Sequence, residues 1–218
     1  MDVNKYIDHT MLKPTVMLAD IQKLCDEAMT SKFAAVCVPP PMIKTASALL
    51  QNSGVKLATV IGFPFGYSAI EAKIAEIVLA IVDGADEMDM VINLIALKNN
   101  DWLYLANEIN HVMPVIRQKN KKIKAIIESG VLTDEEIIRC CELYGATGVD
   151  FLKTSTGYAA TGATVDAVKL MRAHLPLSVQ IKASGGIRSY KFAKELIEAG
   201  ATRLGTSNSM EIIQQSFT

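Results

Sequence analysis

The sequence predicts a (β/α)8 TIM barrel: eight parallel strands closed into a ring, surrounding helices, and one domain over residues 1–218. Three observations predict it. Short apolar runs rich in β-branched residues alternate with longer stretches of helical period. Eight strand–helix units can be counted, and no linker, low-complexity tract or charge block divides them. The length of 218 residues suits one such barrel, a compact one, since about 250 is usual. Strict alternation requires parallel strands joined by helical crossovers. Alternation alone does not show closure, so an open doubly wound sheet is the structural alternative.

The predicted strands are, in order, Tyr6–Thr10, Ala34–Val38, Leu57–Ile61, Glu87–Val91, Ile123–Ile127, Val149–Thr154, Ser178–Ala183 and Thr202–Thr206. Helices are predicted between them. Leu18–Ser31 repeats apolar residues at intervals of three and four, and Met42–Gln51 follows the second strand. Ser68–Val82 opens on Ser68 and Glu71, the spacing of a capping box, in which each side chain satisfies an orphan backbone donor. Asp101–Lys119 is the longest. Thr133 and Glu136 repeat the capping device before Ile137 and Ile138. Thr164–His174, Tyr190–Ala199 and Ser209–Gln215 complete the set.

Composition narrows the function. Half the residues are apolar and 21% are charged, which excludes a disordered chain. A net charge of −1 leaves no electrostatic footprint for nucleic acid or an anionic membrane. Any anion site must therefore be local. Charged residues interrupt every long apolar stretch, so no membrane span is expected. The N-terminal residues lack a basic region followed by an apolar stretch, so no secretory signal is expected either. Cys25, Cys37, Cys140 and Cys141 form no C-x-x-C pair, and reduced thiols in a cytoplasmic protein are the plain reading.

Catalytic groups of a barrel sit at the C-terminal ends of strands. Lys153 ends Val-Asp-Phe-Leu-Lys and Lys182 ends Ser-Val-Gln-Ile-Lys. Strand parity sets Phe151 with Lys153, and Gln180 with Lys182, on faces opposite the apolar residues that meet helices. One strand-end lysine by itself reads as a rim residue paired with a carboxylate in solvent. Two on neighbouring strands read differently. A lysine in a dry site beside a second cation loses proton affinity, and its neutral amine can attack a carbonyl. Asp89 shares a face with Glu87, opposite Met88 and Met90. An inward carboxylate needs a cation, and Lys182 is the expected partner, in a proton shuttle or in an ion pair that only organises the core. Asp8 lies towards the end of the first strand and reads equally as a helix N-cap or turn residue. Cys37 reads as a small buried hydrophobe.

Glycine-bearing turns follow the last two strands, at Ser184-Gly185-Gly186-Ile187-Arg188 and Gly205-Thr206-Ser207-Asn208. Glycine permits close backbone approach to an anion, and these are the positions where barrels frequently hold phosphate. Ser155-Thr156-Gly157 offers further donors. His9, His111 and His174 lie in unrelated segments without H-x-H or H-E-x-x-H spacing, so no metal site and no cofactor are expected.

Several of these motifs occur together in one known family. Asp8-His9-Thr10 with Leu12-Lys13-Pro14, Ile61-Gly62-Phe63-Pro64 with Gly66, and Glu87-Met88-Asp89-Met90-Val91 with Asn93 resemble deoxyribose-phosphate aldolase. So do Phe151-Leu152-Lys153-Thr154-Ser155-Thr156-Gly157 and Ile181-Lys182-Ala183-Ser184-Gly185-Gly186-Ile187-Arg188. The resemblance runs from about residue 6 to 207, and the two lysine motifs in this order are highly specific. It implies metal-free, reversible cleavage of 2-deoxy-D-ribose 5-phosphate to acetaldehyde and D-glyceraldehyde 3-phosphate. It implies Lys153 as the Schiff-base nucleophile and Lys182 as the group that depresses its pKa. Asp89, Lys182, Asp8 and a water would relay the proton. Gly157, Gly185, Gly186, Arg188, Gly205 and Ser207 would hold the phosphate. Relatives imply a homodimer or higher homo-oligomer. Pro39, Tyr158 and Asn208-Ser209 depart from the family pattern, and the chain ends at Thr218 without the longer tyrosine-ended tail of some members. Competing readings are a Schiff-base lyase for a keto-acid or ketose phosphate, and a non-catalytic sugar-phosphate sensor.

Overall fold

The computed structural model describes residues 1–217, so Thr218 and the expectation about the tail lie outside it. Strands β1 (Ile7–Thr10), β2 (Ala35–Val38), β3 (Lys56–Ile61), β4 (Glu87–Val91), β5 (Lys122–Ile126), β6 (Phe151–Lys153), β7 (Gln180–Ser184) and β8 (Arg203–Thr206) pair in sequence order, all parallel. Pairing of Asp8 with Gly205 joins β1 to β8 and closes the barrel, so the open-sheet alternative is wrong. The helices are α1 (Leu18–Ser31), α2 (Ile43–Leu49), α3 (Ile70–Val82), α4 (Leu94–Lys98), α5 (Trp102–Gln118), α6 (Asp134–Thr147), α7 (Val165–His174), α8 (Tyr190–Glu198) and α9 (Ser209–Gln214).

Period-two alternation decides which face of each strand meets the helices. Met88, Met90, Ile123, Ala125, Leu152, Ile181 and Ala183 are buried in the main apolar core. Apolar filling inside the barrel is small by comparison, with Cys37, Ala58 and Val60 packed under Leu12 and Phe63. Cys37 is thus the buried hydrophobe expected, its thiol pushed up to about 11 chiefly by burial. The remaining inward positions include a buried charged set, Asp8, Glu87, Asp89, Lys124, Lys153 and Lys182.

Local differences from the sequence reading have physical causes. The Thr133 capping box forms, with the Glu136 N–H donating to Thr133 Oγ1 at 3.2 Å and the Thr133 N–H donating to Glu136 at 2.8 Å. The Ser68 box does not. α3 starts two residues later with Ala69 as its cap, because the chain is still leaving the tight turn in which Gly66 N–H donates to Gly62 O. That turn needs glycine: a Cβ on Gly66, at φ +74°, would lie 1.9 Å from Ile92 O. α4 has five residues, too few for an apolar period to show, and is set by Asn93, whose side chain accepts from the Ala96 N–H. Among the described residues no helix is long and apolar enough to cross a membrane.

Candidate active site

β4, β6, β7 and β1 bring the four predicted catalytic residues into one dry cluster. Lys153 Nζ lies 2.8 Å from Asp89 Oδ2, and Lys182 Nζ lies 2.7 Å from the same oxygen. Lys182 Nζ also meets Asp8 Oδ2 at 2.5 Å. Asp8, Asp89 and Lys182 are fully buried and Lys153 is 3% exposed. One carboxylate oxygen of Asp89 therefore bridges the two strand-end lysines.

The electrostatics separates these lysines. Burial holds Lys153 below the usual lysine value, and the Lys182 charge adds to that, while Asp89 opposes it. Lys182 suffers the same burial, yet Asp8 and Asp89 together outweigh it and raise its pKa. For Asp8 and Asp89, burial favours the neutral acid, but the surrounding cations win and hold both carboxyls well below the ordinary range. Lys182 is thus held as a cation, and Lys153 is the one of the two whose surroundings favour the neutral amine.

A cavity of about 310 Å³ opens above Lys153. All six predicted phosphate residues line it: Gly157, Gly185, Gly186, Arg188, Gly205 and Ser207. Gly157, Gly185 and Gly186 have φ of 91°, 86° and 77°, where other side chains are strained. A Cβ on Gly205 would come within 3.0 Å of Lys182 Cε and Ser184 Cβ. The arrangement offers a nucleophilic amine at one end of a cavity and backbone donors at the other.

The family model for DeoC/LacD family aldolases matches residues 3–210. The chain belongs to this aldolase family. It is 50% identical to a deoxyribose-phosphate aldolase of Thermococcus gammatolerans over 98% of this chain and 96% of the relative. A deoxyribose-phosphate aldolase of Caldicellulosiruptor saccharolyticus is 46% identical over 98% of each chain. Among solved structures, the tetrameric deoxyribose phosphate aldolase of Aeropyrum pernix superposes with a TM-score of 0.92 at 29% identity, covering 99% of this chain and 91% of that one.

The aldolase cluster is larger than the sequence reading of it. Asp89 does not pair with Lys182 alone; Lys124 Nζ takes its other oxygen at 2.7 Å and also meets Glu87 at 2.6 Å. Arg203 joins from below, at 2.6 Å from Asp8 and 3.1 Å from Glu87, its guanidinium 5.2 Å from the Phe151 ring centre. Attention to strand ends missed both cations, because Lys124 is mid-strand and Arg203 begins one. Parity was the available signal: Lys124 alternates with outward Ile123 and Ala125. Among the described residues the cluster holds Asp8, Glu87 and Asp89 against Lys124, Lys153, Lys182 and Arg203. Three acids balance three of the four cations, so loss of one proton leaves the cluster neutral. The direction of its shift makes Lys153 the donor of that proton.

Lys124→Met keeps the volume but leaves Glu87 and Asp89 short of a partner. A cost of about 3 kcal/mol is expected, a fall in Tm of roughly 6–12 °C by calorimetry. An unchanged Tm would show that Arg203, Lys153 and Lys182 satisfy both acids without Lys124.

The departures from the family pattern lie at the mouth. Tyr158 donates its hydroxyl to Leu12 O at 3.0 Å and sets its ring edge-on to Phe63. Asn208 lines the cavity above Lys153, whereas Pro39 lines a neighbouring one of about 480 Å³. His111 and His174 are exposed on α5 and α7, and His9 is buried outside the cluster against Glu27.

Proposed function

We propose that this chain reversibly cleaves 2-deoxy-D-ribose 5-phosphate to acetaldehyde and D-glyceraldehyde 3-phosphate, as a single catalytic domain over residues 1–218. One observation carries the reading. Of the three buried lysines around Asp89, Lys153 alone is shifted down, and it alone lines the cavity with the glycine loops.

The chemistry follows from that difference. The neutral amine of Lys153 attacks the sugar's C1 aldehyde, and loss of water gives an iminium ion. The iminium draws electrons from the C2–C3 bond as the C3 hydroxyl gives up its proton. The bond breaks, D-glyceraldehyde 3-phosphate leaves, and an enamine of two carbons stays on Lys153. Protonation at C2 and hydrolysis release acetaldehyde and restore the amine. Asp89 touches both Lys153 and Lys182, and Asp8 holds Lys182 protonated, so these groups and a water form the relay for that proton. Gly157, Gly185, Gly186, Gly205, Ser207 and Arg188 hold the phosphate, whose binding energy fixes C1 near the amine.

Acetaldehyde release from 2-deoxy-D-ribose 5-phosphate, followed with alcohol dehydrogenase, tests this directly. Turnover is expected, and turnover only of a keto-acid or ketose phosphate would replace the substrate. The described Aeropyrum pernix tetramer supports a homo-oligomer here too.

A further inference from the structure

We infer that Glu128 is a positioning residue that anchors the tip of the loop after Lys153, and so sets where the substrate phosphate lies relative to the Schiff-base nitrogen. This deepens the proposed aldolase function and rests on it.

Glu128 lies just beyond β5 and is 4% exposed, yet it forms none of the ion pairs of the cluster below it. A buried carboxylate without such a partner is costly unless hydrogen bonds satisfy it. All the hydrogen bonds of its carboxylate go to one residue. Both oxygens accept from the Thr156 N–H at 3.2 Å, and one accepts a short hydrogen bond from the Thr156 hydroxyl. Thr156 Oγ1 in turn accepts from the Tyr158 N–H at 3.0 Å. The chain of bonds spans Gly157, one of the glycines lining the cavity. Glu128 reaches this position through a left-handed backbone, φ 53° and ψ 55°, which a non-glycine residue adopts only when its surroundings hold it there.

The base of the loop is held from both sides, and on the Glu128 side Thr154 O accepts from the Ser129 N–H at 2.7 Å. Thr154 Oγ1 donates to Ser184 O at 3.2 Å and accepts from the Ser184 N–H at 3.1 Å, and Ser184 Oγ donates to Ser155 O. Those contacts tie the loop's base to β7. The tip, from Thr156 to Tyr158, hangs by Thr156 on Glu128 and by the Tyr158 side chain on Leu12 and Phe63. The carboxylate lines neither cavity at the mouth, so it is placed to act through Thr156 and not on the substrate. Burial raises its pKa, which fits a group kept from solvent.

The test uses the full chain and three substitutions. Glu128→Gly deletes the carboxylate while accepting the positive φ. Glu128→Gln keeps an acceptor of the same length. Thr156→Val removes the hydroxyl and leaves Glu128. For each, kcat and KM are measured with 2-deoxy-D-ribose 5-phosphate and with unphosphorylated 2-deoxy-D-ribose, and inorganic phosphate affinity is measured by calorimetry. Glu128→Gly is expected to lower the preference for the phosphorylated sugar in kcat/KM by about tenfold or more, mostly through KM, and to weaken inorganic phosphate to match. Thr156→Val should repeat the loss and Glu128→Gln should restore most of it. Equal losses with both sugars, or unchanged phosphate affinity, would overturn the inference. Phosphate affinity needs no turnover. A wild-type chain that binds phosphate but cleaves neither sugar would sink the aldolase reading, and the Glu128→Gly affinity would still decide the anchor.

Discussion

Lys153→Ala is expected to lower kcat/KM for deoxyribose 5-phosphate by about four orders of magnitude or more while the barrel stays folded. The two halves of this result have one cause. In the proposed mechanism Lys153 supplies the amine that forms the Schiff base, and no neighbour replaces it, because Lys124 and Lys182 are both held protonated by their carboxylates. The same surplus of one cation makes the deletion harmless to the fold. Without Lys153, three acids face Lys124, Lys182 and Arg203, and Asp89 keeps contacts at 2.7 Å to each of the first two. Tm should stay within a few degrees of wild type and inorganic phosphate should still bind. A variant that unfolds would make Lys153 a structural cation; one with wild-type turnover would remove it from the chemistry.

Asp89→Asn and Lys182→Leu are expected to move the pH–rate profile in opposite directions. The neutral amine is the reactive form, so activity falls as pH drops through the pKa of Lys153. Lys182 adds to the depression of that pKa and Asp89 opposes it. Removing the Lys182 charge therefore raises the Lys153 pKa and shifts the acid limb to higher pH. Removing the Asp89 charge lowers it and shifts the limb to lower pH. Both should slow deuterium wash-in at the acetaldehyde methyl, with Asp89→Asn costing about 10²–10⁴ in rate. Limbs that move together would refute the assigned signs, and unchanged wash-in would exclude the altered group from the relay. Asp89→Asn also removes the anion that Lys124 and Lys182 each meet at 2.7 Å and leaves them only Asp8 in common, 3.7 Å from Lys124, so lower stability should accompany it.

The fold was legible because the chain repeats one unit, and most units show their strand by an apolar run and their helix by period, the first strand weakly and the last only briefly. Met88 and Met90 facing helices, with Glu87 and Asp89 facing inward, was readable from alternation in five residues. Lys153, Lys182, Asp89 and Asp8 were legible because a charged side chain on an inward face has to be explained. The same reasoning could have reached Lys124 and Arg203. They escaped because cations were sought at strand ends and not, as Asp89 was, by inward parity along the strand, and an inward mid-strand lysine is tolerable only once its acids are known. Glu128 was hidden for a different reason. It sits where alternation has ended, and its left-handed backbone breaks the parity that placed the others. The start of α3 was misjudged because Ser68 and Glu71 have capping-box spacing, but the turn locked by Gly66 sets where the helix begins.

Borohydride trapping with acetaldehyde, followed by peptide mass mapping, tests the central claim most directly. Reduction of an iminium leaves a stable two-carbon adduct on the lysine that formed it. The account predicts that adduct on Lys153 and on neither Lys124 nor Lys182. An adduct on Lys182 in place of Lys153, or none on any lysine of the folded protein, would contradict it.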